Sequence, residues 1–128
     1  MNKICTSLSQ SKKLIELGVD INTADMYYSF DYNIEEYDED AQIIPKSELG
    51  QHFSLFPKDI LAWSLTALFN IIPKKINFGY ENDSTFVLKP LENGKYLADY
   101  YEVSFVKDNP IDAVFEMVCW LLENKKLL

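Results

Sequence analysis

The spacing of apolar and polar positions along the chain predicts seven elements. Across "SLSQSKKLIELG", Ser7 followed by Gln10 fits a capping box, and Gly18 fits the left-handed residue just past a helix end. A helix is expected from about Leu8 to Leu17. In "DMYYSFDY", Met26, Tyr28, Phe30 and Tyr32 alternate with Tyr27, Ser29 and Asp31, the period-two pattern of a strand with one buried face. A second helix is expected to start at Pro57 and run through "KDILAWSLTALFNII" until Pro73 stops it, with Ile60, Leu61, Leu65, Leu68, Ile71 and Ile72 on one broad face.

Three strand signals follow, "KINFGY", "TFVLKP" and "KYLADYYEVSF", separated by the turn stretches "ENDS" and "ENG". The second turn carries the Asn93-Gly94 hairpin signature, so the three read as an antiparallel meander. Pro90 cannot donate to a ladder, which places its strand at an edge or ends it there. The last helix is the clearest element: Asn109 caps, Pro110 starts, and Ile111, Phe115, Val118 and Leu122 recur at helical steps. The order is α-β-α-β-β-β-α. It predicts an α+β fold in which three helices cover a small antiparallel sheet, a strand plus a three-stranded meander.

Length agrees with one domain over residues 1–128, since a chain of 128 residues buries roughly two thirds of its unfolded surface. Within it, residues around 33–44 are expected to form a flexible acidic loop, because "EEYDED" at 35–40 offers no apolar periodicity to bury. The formal charge is −8, and every basic residue is Lys, with no Arg. Bidentate readout of guanine or phosphate uses the guanidinium fork, and net negative charge repels a nucleic-acid backbone, so direct nucleic-acid binding is disfavoured twice. The N-terminus lacks the apolar run of a secretory signal, and no stretch reaches the ~20 apolar residues of a membrane span. A cytoplasmic protein off the membrane is expected, with Cys5 and Cys119 reduced. Without a CxxC or a neighbouring His, these two do not make a metal framework.

The acidic hexapeptide fails as a calcium loop. Counting from Asp31, position 6 is Glu36 where glycine is needed and position 12 is Gln42 where Glu is needed. Two readings stay open: a solvated loop, and a negative field through Glu35, Glu36, Asp38, Glu39 and Asp40 that occupies a basic groove of a partner. His52 is the only histidine and stands in "GQHFSLFP", without a phosphate cradle or a nucleophile elbow. Cys119 lies beside Asp112, Glu116 and Glu123, carboxylates that raise a thiol pKa and argue against a nucleophile. Tyr27, Tyr96, Tyr100 and Tyr101 either form a contact surface on strands or sit half buried between sheet and helices. Projected at 100° per residue, Trp63 falls among Asp59, Thr66 and Asn70, and Trp120 falls opposite the apolar face of the last helix. Both are therefore candidate contact anchors unless a loop or neighbouring helix covers them.

The segments "SKKLIELG", "NTADMYY", "AWSLTALFNIIP" and "DNPIDAVFEMVCWLLE" resemble a family of short uncharacterised proteins of gut anaerobic bacteria, their phages and their mobile elements. The resemblance covers nearly the whole chain except residues 33–56 and the middle of the meander. It implies a setting, an accessory protein of a mobile element, and carries no activity or site. Together these readings predict a non-enzymatic acidic protein-interaction module, whose concrete form is an inhibitor of a host nucleic-acid-handling or defence protein. The expected partner is an unidentified protein, and the chain itself is expected as a monomer or weak homodimer. The alternative is a small-ligand binder with a pocket between sheet and helices; an enzyme built around His52 is the third reading. No cofactor and no metal is expected.

Overall fold

The computed structural model describes residues 3–29, 42–46, 59–77, 83–100 and 102–125. Helix α1 (Leu8–Glu16) begins as its end signals predict: Ser7 Oγ accepts from the Gln10 amide at 3.2 Å while Gln10 Oε1 accepts from the Ser7 amide at 2.9 Å. Gly18 beyond it has φ +94°, a left-handed conformation that a side chain would strain. After a short 3-10 turn (Ile21–Thr23) come strands β1 (Met26–Ser29), β2 (Gln42–Pro45) and β3 (Ile60–Ala62), and then helix α2 (Leu65–Ile71). Strands β4 (Lys75–Ile76), β5 (Ser84–Thr85), β6 (Val87–Pro90), β7 (Tyr96–Asp99) and β8 (Ser104–Lys107) lead into helix α3 (Pro110–Glu123). Asn109 caps α3 by accepting from the Asp112 amide at 2.8 Å.

The α+β class stands, with three helices and small antiparallel sheets among the described residues. The strands are divided differently from the expected single sheet. Strand β1 lies between β2 and β3, with Tyr27 opposite Ile44 on one side and Leu61 on the other. The meander is β6-β7-β8, with Pro90 on an outer strand of it as expected, and among the described residues β4 pairs only with β5. The stretch read as one long third strand is two, β7 and β8, which pair antiparallel, and between them the Tyr100 amide donates to the Val103 carbonyl at 2.9 Å.

Two expectations are corrected here. The second helix does not include residues 60–64: Ile60–Ala62 is a strand, and the helix begins at Leu65 behind Ser64, whose Oγ accepts from the Ala67 amide at 3.2 Å. A three-residue apolar run fits either element by periodicity, and β1 supplies the ladder partner that decides it. The loop expected around 33–44 does not extend through 42–44, which belong to β2; Ile44 packs on the core. The hexapeptide at 35–40 and His52 lie outside the described residues.

Helix α3 organises the core. Eight of its residues are buried, more than a single stripe provides, because it packs on the inner face of β7 and β8 and also against α2. Ala98 and Phe105 meet it from the sheet, and Leu68 belongs to the same cluster from α2. No helix among the described residues is long and apolar enough to cross a membrane.

Two polar nodes hold the elements in register. Thr6 is fully buried, and its amide donates to the Trp63 carbonyl at 2.9 Å while its Oγ1 accepts from the Trp63 amide at 3.1 Å. The same hydroxyl shares a 2.8 Å bond with Ser11 Oγ of α1, and the Thr6 carbonyl accepts from the Tyr28 hydroxyl of β1 at 2.8 Å. The second node is Asp112, whose Oδ1 accepts from Lys3 Nζ at 2.6 Å and from Gln10 Nε2 at 2.7 Å, and whose Oδ2 accepts from Asn109 Nδ2 at 2.8 Å. Burial pushes the Asp112 carboxyl up, but the hydrogen bonds from Lys3, Gln10 and Asn109 and the charge of Lys3 outweigh it and hold the group below its ordinary 3.8.

Removing the Thr6 hydroxyl leaves a buried amide and a buried serine without a partner. Thr6→Val is expected to destabilise the fold by about 1–3 kcal/mol in urea unfolding, while Thr6→Ser, which keeps the oxygen, retains most of the stability. Equal losses in both would show that the methyl group, not the hydroxyl, matters. Because the Asp112 pKa is depressed in the folded state, its stabilisation is present above 3.8 and is lost as pH falls through the lower folded value. Wild type and Asp112→Asn should therefore differ in unfolding free energy near pH 7 and converge in acid; parallel pH curves would remove Asp112 from the stability of the N-terminal segment.

Candidate functional site

Packing α1 beside α3 leaves a groove that opens to solvent between them and β8. It has a volume of about 300 Å³ and is lined by Lys13 of α1, Phe105 of β8, and Phe115, Glu116, Cys119, Trp120 and Glu123 of α3. The α3 residues lie one helical turn apart in two adjoining rows, one along Phe115 and Cys119, the other along Glu116, Trp120 and Glu123. Phe115 and Cys119 form the buried side, and Trp120 is half buried against the core.

Charges surround these rings. Lys13 Nζ lies 3.6 Å from Glu123 Oε1, and Lys107 Nζ lies 3.9 Å from Glu116 Oε1, with all four side chains partly exposed. Such pairs hold little energy and exchange readily for other ions. Burial first, then Glu116 and Glu123 against the opposing effect of Lys13, pushes the Cys119 thiol up to about 12. The thiol is therefore protonated at neutral pH and acts as part of an apolar wall; of the three carboxylates expected to suppress it, Glu116 and Glu123 contribute and Asp112 does not. An aromatic and thiol floor beneath two carboxylates suits a group with an apolar body and a positive tip.

The other resolved pKa shifts among the described residues belong to Cys5, Tyr28, Tyr100 and Asp112. Burial raises Cys5 and Tyr28, which share a 3.7 Å hydrogen bond from Sγ to the hydroxyl, and burial raises Tyr100, whose hydroxyl donates to the Pro73 carbonyl. Asp112 moves down. Each of these four groups moves away from neutrality. Among the described residues, no group of three or more His, Cys, Asp or Glu side chains is placed to hold a metal ion.

The structure separates the two tryptophans. Trp63 is fully buried, with Nε1 donating to Thr23 Oγ1 at 2.9 Å, so it is a core residue and not an exposed anchor. The 100° projection that turns it outward needs a helix at residue 63, whereas Trp63 lies between β3 and α2, where that rule does not apply. Trp120 does sit on a surface, in the groove. Tyr27 and Tyr100 are buried, Tyr96 is half buried, and Tyr101, like Glu35, Glu36, Asp38, Glu39 and Asp40, lies outside the described residues. Lys13, Phe105 and Phe115 had no sequence signal as groove residues, because only the packing of α1 and β8 on α3 brings them together. No known protein family, curated protein or solved structure matches the chain.

Truncating the two indoles should have unequal effects on stability. Trp63→Ala is expected to cost about 3–5 kcal/mol in urea unfolding read by circular dichroism, and Trp120→Ala less than half of that. Equal losses would place Trp120 in the core.

Proposed function

We propose that the chain is a non-enzymatic, acidic protein-interaction module that works in the cytoplasm of a bacterial host as an accessory protein of a phage or mobile element. Inhibition of a host nucleic-acid-handling or defence protein is the concrete form. The observation that carries the reading is the groove at Trp120, an aromatic surface with Glu116 and Glu123 on its wall, in a chain with a formal charge of −8. Its occupant is a basic segment of the partner. A lysine or arginine stem lies along Trp120 and Phe105, and its cation takes over the carboxylates now paired weakly with Lys13 and Lys107. Proteins that handle nucleic acid present such basic segments, and an acidic chain approaches them with electrostatic steering. Glu35, Glu36, Asp38, Glu39 and Asp40 add to the same attraction.

The groove also touches the small-ligand alternative, since it lies between helices and a sheet. A volume of about 300 Å³ is the lower limit of ligand cavities, and an open groove does not enclose its ligand, so a protruding partner side chain suits it better.

Indole N–H resonances test this reading with an internal control. On titration with a lysine- and arginine-rich peptide, the Trp120 signal should move and that of buried Trp63 should not, and a glutamate-rich peptide should move neither. Trp120→Ala or Glu116→Gln with Glu123→Gln should weaken binding about 2- to 5-fold, and added salt should weaken it further. In a pull-down from host lysate read by mass spectrometry, the proteins held by wild type should be lost with Trp120→Ala. An unmoved Trp120 signal, or identical captures by both forms, would reject the groove as the contact.

A further inference from the structure

The sheet β6-β7-β8 has a second face, turned away from α3. Alternation along the strands puts Leu88, Ala98 and Phe105 on the inner face, where all three belong to or pack against the core. Val87, Leu97 and Val106 lie on the other face. Val87 and Val106 are 42% and 45% exposed, and Leu97, at the centre, is not among the residues packed on the core. An aliphatic centre on the middle strand flanked by two exposed valines is more apolar surface than three short strands need to show water.

The charges on this face differ from those of the rest of the chain. Lys89 stands in register with Leu97 and Val106, and Asp99 in register with Val87 and Ser104. One step beyond, Lys95 faces Asp108 at 3.7 Å. Two lysines and two aspartates make the face neutral, in a chain whose formal charge is −8. A basic partner gains nothing from a neutral surface, whereas a second copy, repelled by the rest of this chain, meets least repulsion there.

We infer that this face is a self-complementary contact through which two copies associate, separate from the Trp120 groove. Turning one copy by 180° about an axis lying in the face and crossing the strands at Leu97 sets Leu97 on Leu97 and Val106 on Val106. The same rotation lays Asp99 of each copy over Lys95 of the other, and Ser104 over Asp108. Lys89 meets its own equivalent, at the margin of the sheet where its long side chain can turn into solvent. Three strands of 4 residues, with a rise of ~3.4 Å per residue and a spacing of ~4.8 Å, present far less than the ~800 Å² per partner of a stable interface, so the dimer is weak and forms only at high protein concentration.

Salt acts on this contact with a sign opposite to its effect on a basic partner. Screening reduces the repulsion between two chains of −8, so association strengthens as salt rises. Sedimentation equilibrium over rising concentration tests the inference. The mean mass should climb from 14.9 kDa toward twice that value, and the association constant should rise at least about 3-fold between ~0.05 M and ~0.5 M salt. Leu97→Asp should abolish association with an unchanged circular dichroism spectrum. Asp99→Lys should weaken it, and combination with Lys95→Asp should restore it, which keeps the test valid if Leu97→Asp fails to fold. Trp120→Ala should associate as wild type does. A constant monomer mass, an association that salt weakens, or a charge swap that does not restore the contact would overturn the assignment.

Discussion

A threonine with no water to turn to fixes how the first half of this molecule assembles. Thr6 is fully buried, and its amide, carbonyl and hydroxyl are all used, by Trp63, Tyr28 and Ser11. Those partners come from three elements: the segment joining β3 to α2, strand β1, and helix α1. Leaving any of these bonds unmade underground in the core costs the desolvation of a polar group, which makes the arrangement all or none. Trp63 cannot shift without breaking both of its backbone bonds to Thr6, and its position in turn places Ser64. There Asp25 accepts from the Ser64 amide at 2.9 Å and from its hydroxyl, and the start of α2 is set. The chain between residues 3 and 6 is therefore a structural strand of contacts and not a tail, and Lys3 extends it to the first turn of α3 through Asp112.

That dependence explains which parts of the fold the amino-acid sequence discloses. Ser7 with Gln10, Gly18, Asn93-Gly94 and Asn109-Pro110 mark ends and turns whose geometry is decided within four residues, and each appears where those residues place it. The run from Pro57 to Ser64 is different. Ile60-Leu61-Ala62 has no period long enough to distinguish helix from strand, and the decision comes from β1, some thirty residues earlier, and from Thr6, more than fifty residues earlier. One misplaced boundary then carried Trp63 to the wrong side, because a projection is only as good as the helix under it. Tyr100 shows the same limit: "ADYYEV" alternates well enough for a strand, but β7 ends at Asp99 and the Tyr100 amide donates to the Val103 carbonyl at 2.9 Å, a turn that no Gly, Pro or Asn in the stretch signals.

The groove was half legible. Glu116 and Glu123 beside Cys119 and the off-stripe position of Trp120 follow from helical spacing alone, and they reappear as its wall and its aromatic surface, whereas Asp112, read into the same stripe, bonds to the N-terminal segment instead. Lys13 and Phe105 come from distant segments, and their arrival turns an exposed indole into one side of a concavity. Lys13 also tempers the site, since its ammonium partly neutralises Glu123 in the free protein.

If the groove on α3 is the contact proposed above, its placement has an energetic consequence. This helix carries eight buried residues, so the backbone beneath Trp120 is among the most constrained in the molecule. A partner that docks there need not order the surface it binds, and the cost of association falls mainly on its own flexible basic segment. The ion pairs at the rim are the opposite case. Lys13 and Lys107 are half exposed and held at 3.6 and 3.9 Å, so they can leave their carboxylates without disturbing the core. Rigid aromatic floor and exchangeable charged rim together favour recognition by charge exchange: the incoming cation replaces one that water can readily take up, and no buried charge is left unpaired at any stage. If α3 were a loosely packed helix, the same residues would lose this advantage, since Trp120 would have to be ordered at the moment of binding. Under the proposed function, the buried face of α3, which looks like a matter of stability alone, is for that reason also what prepares the opposite face for binding.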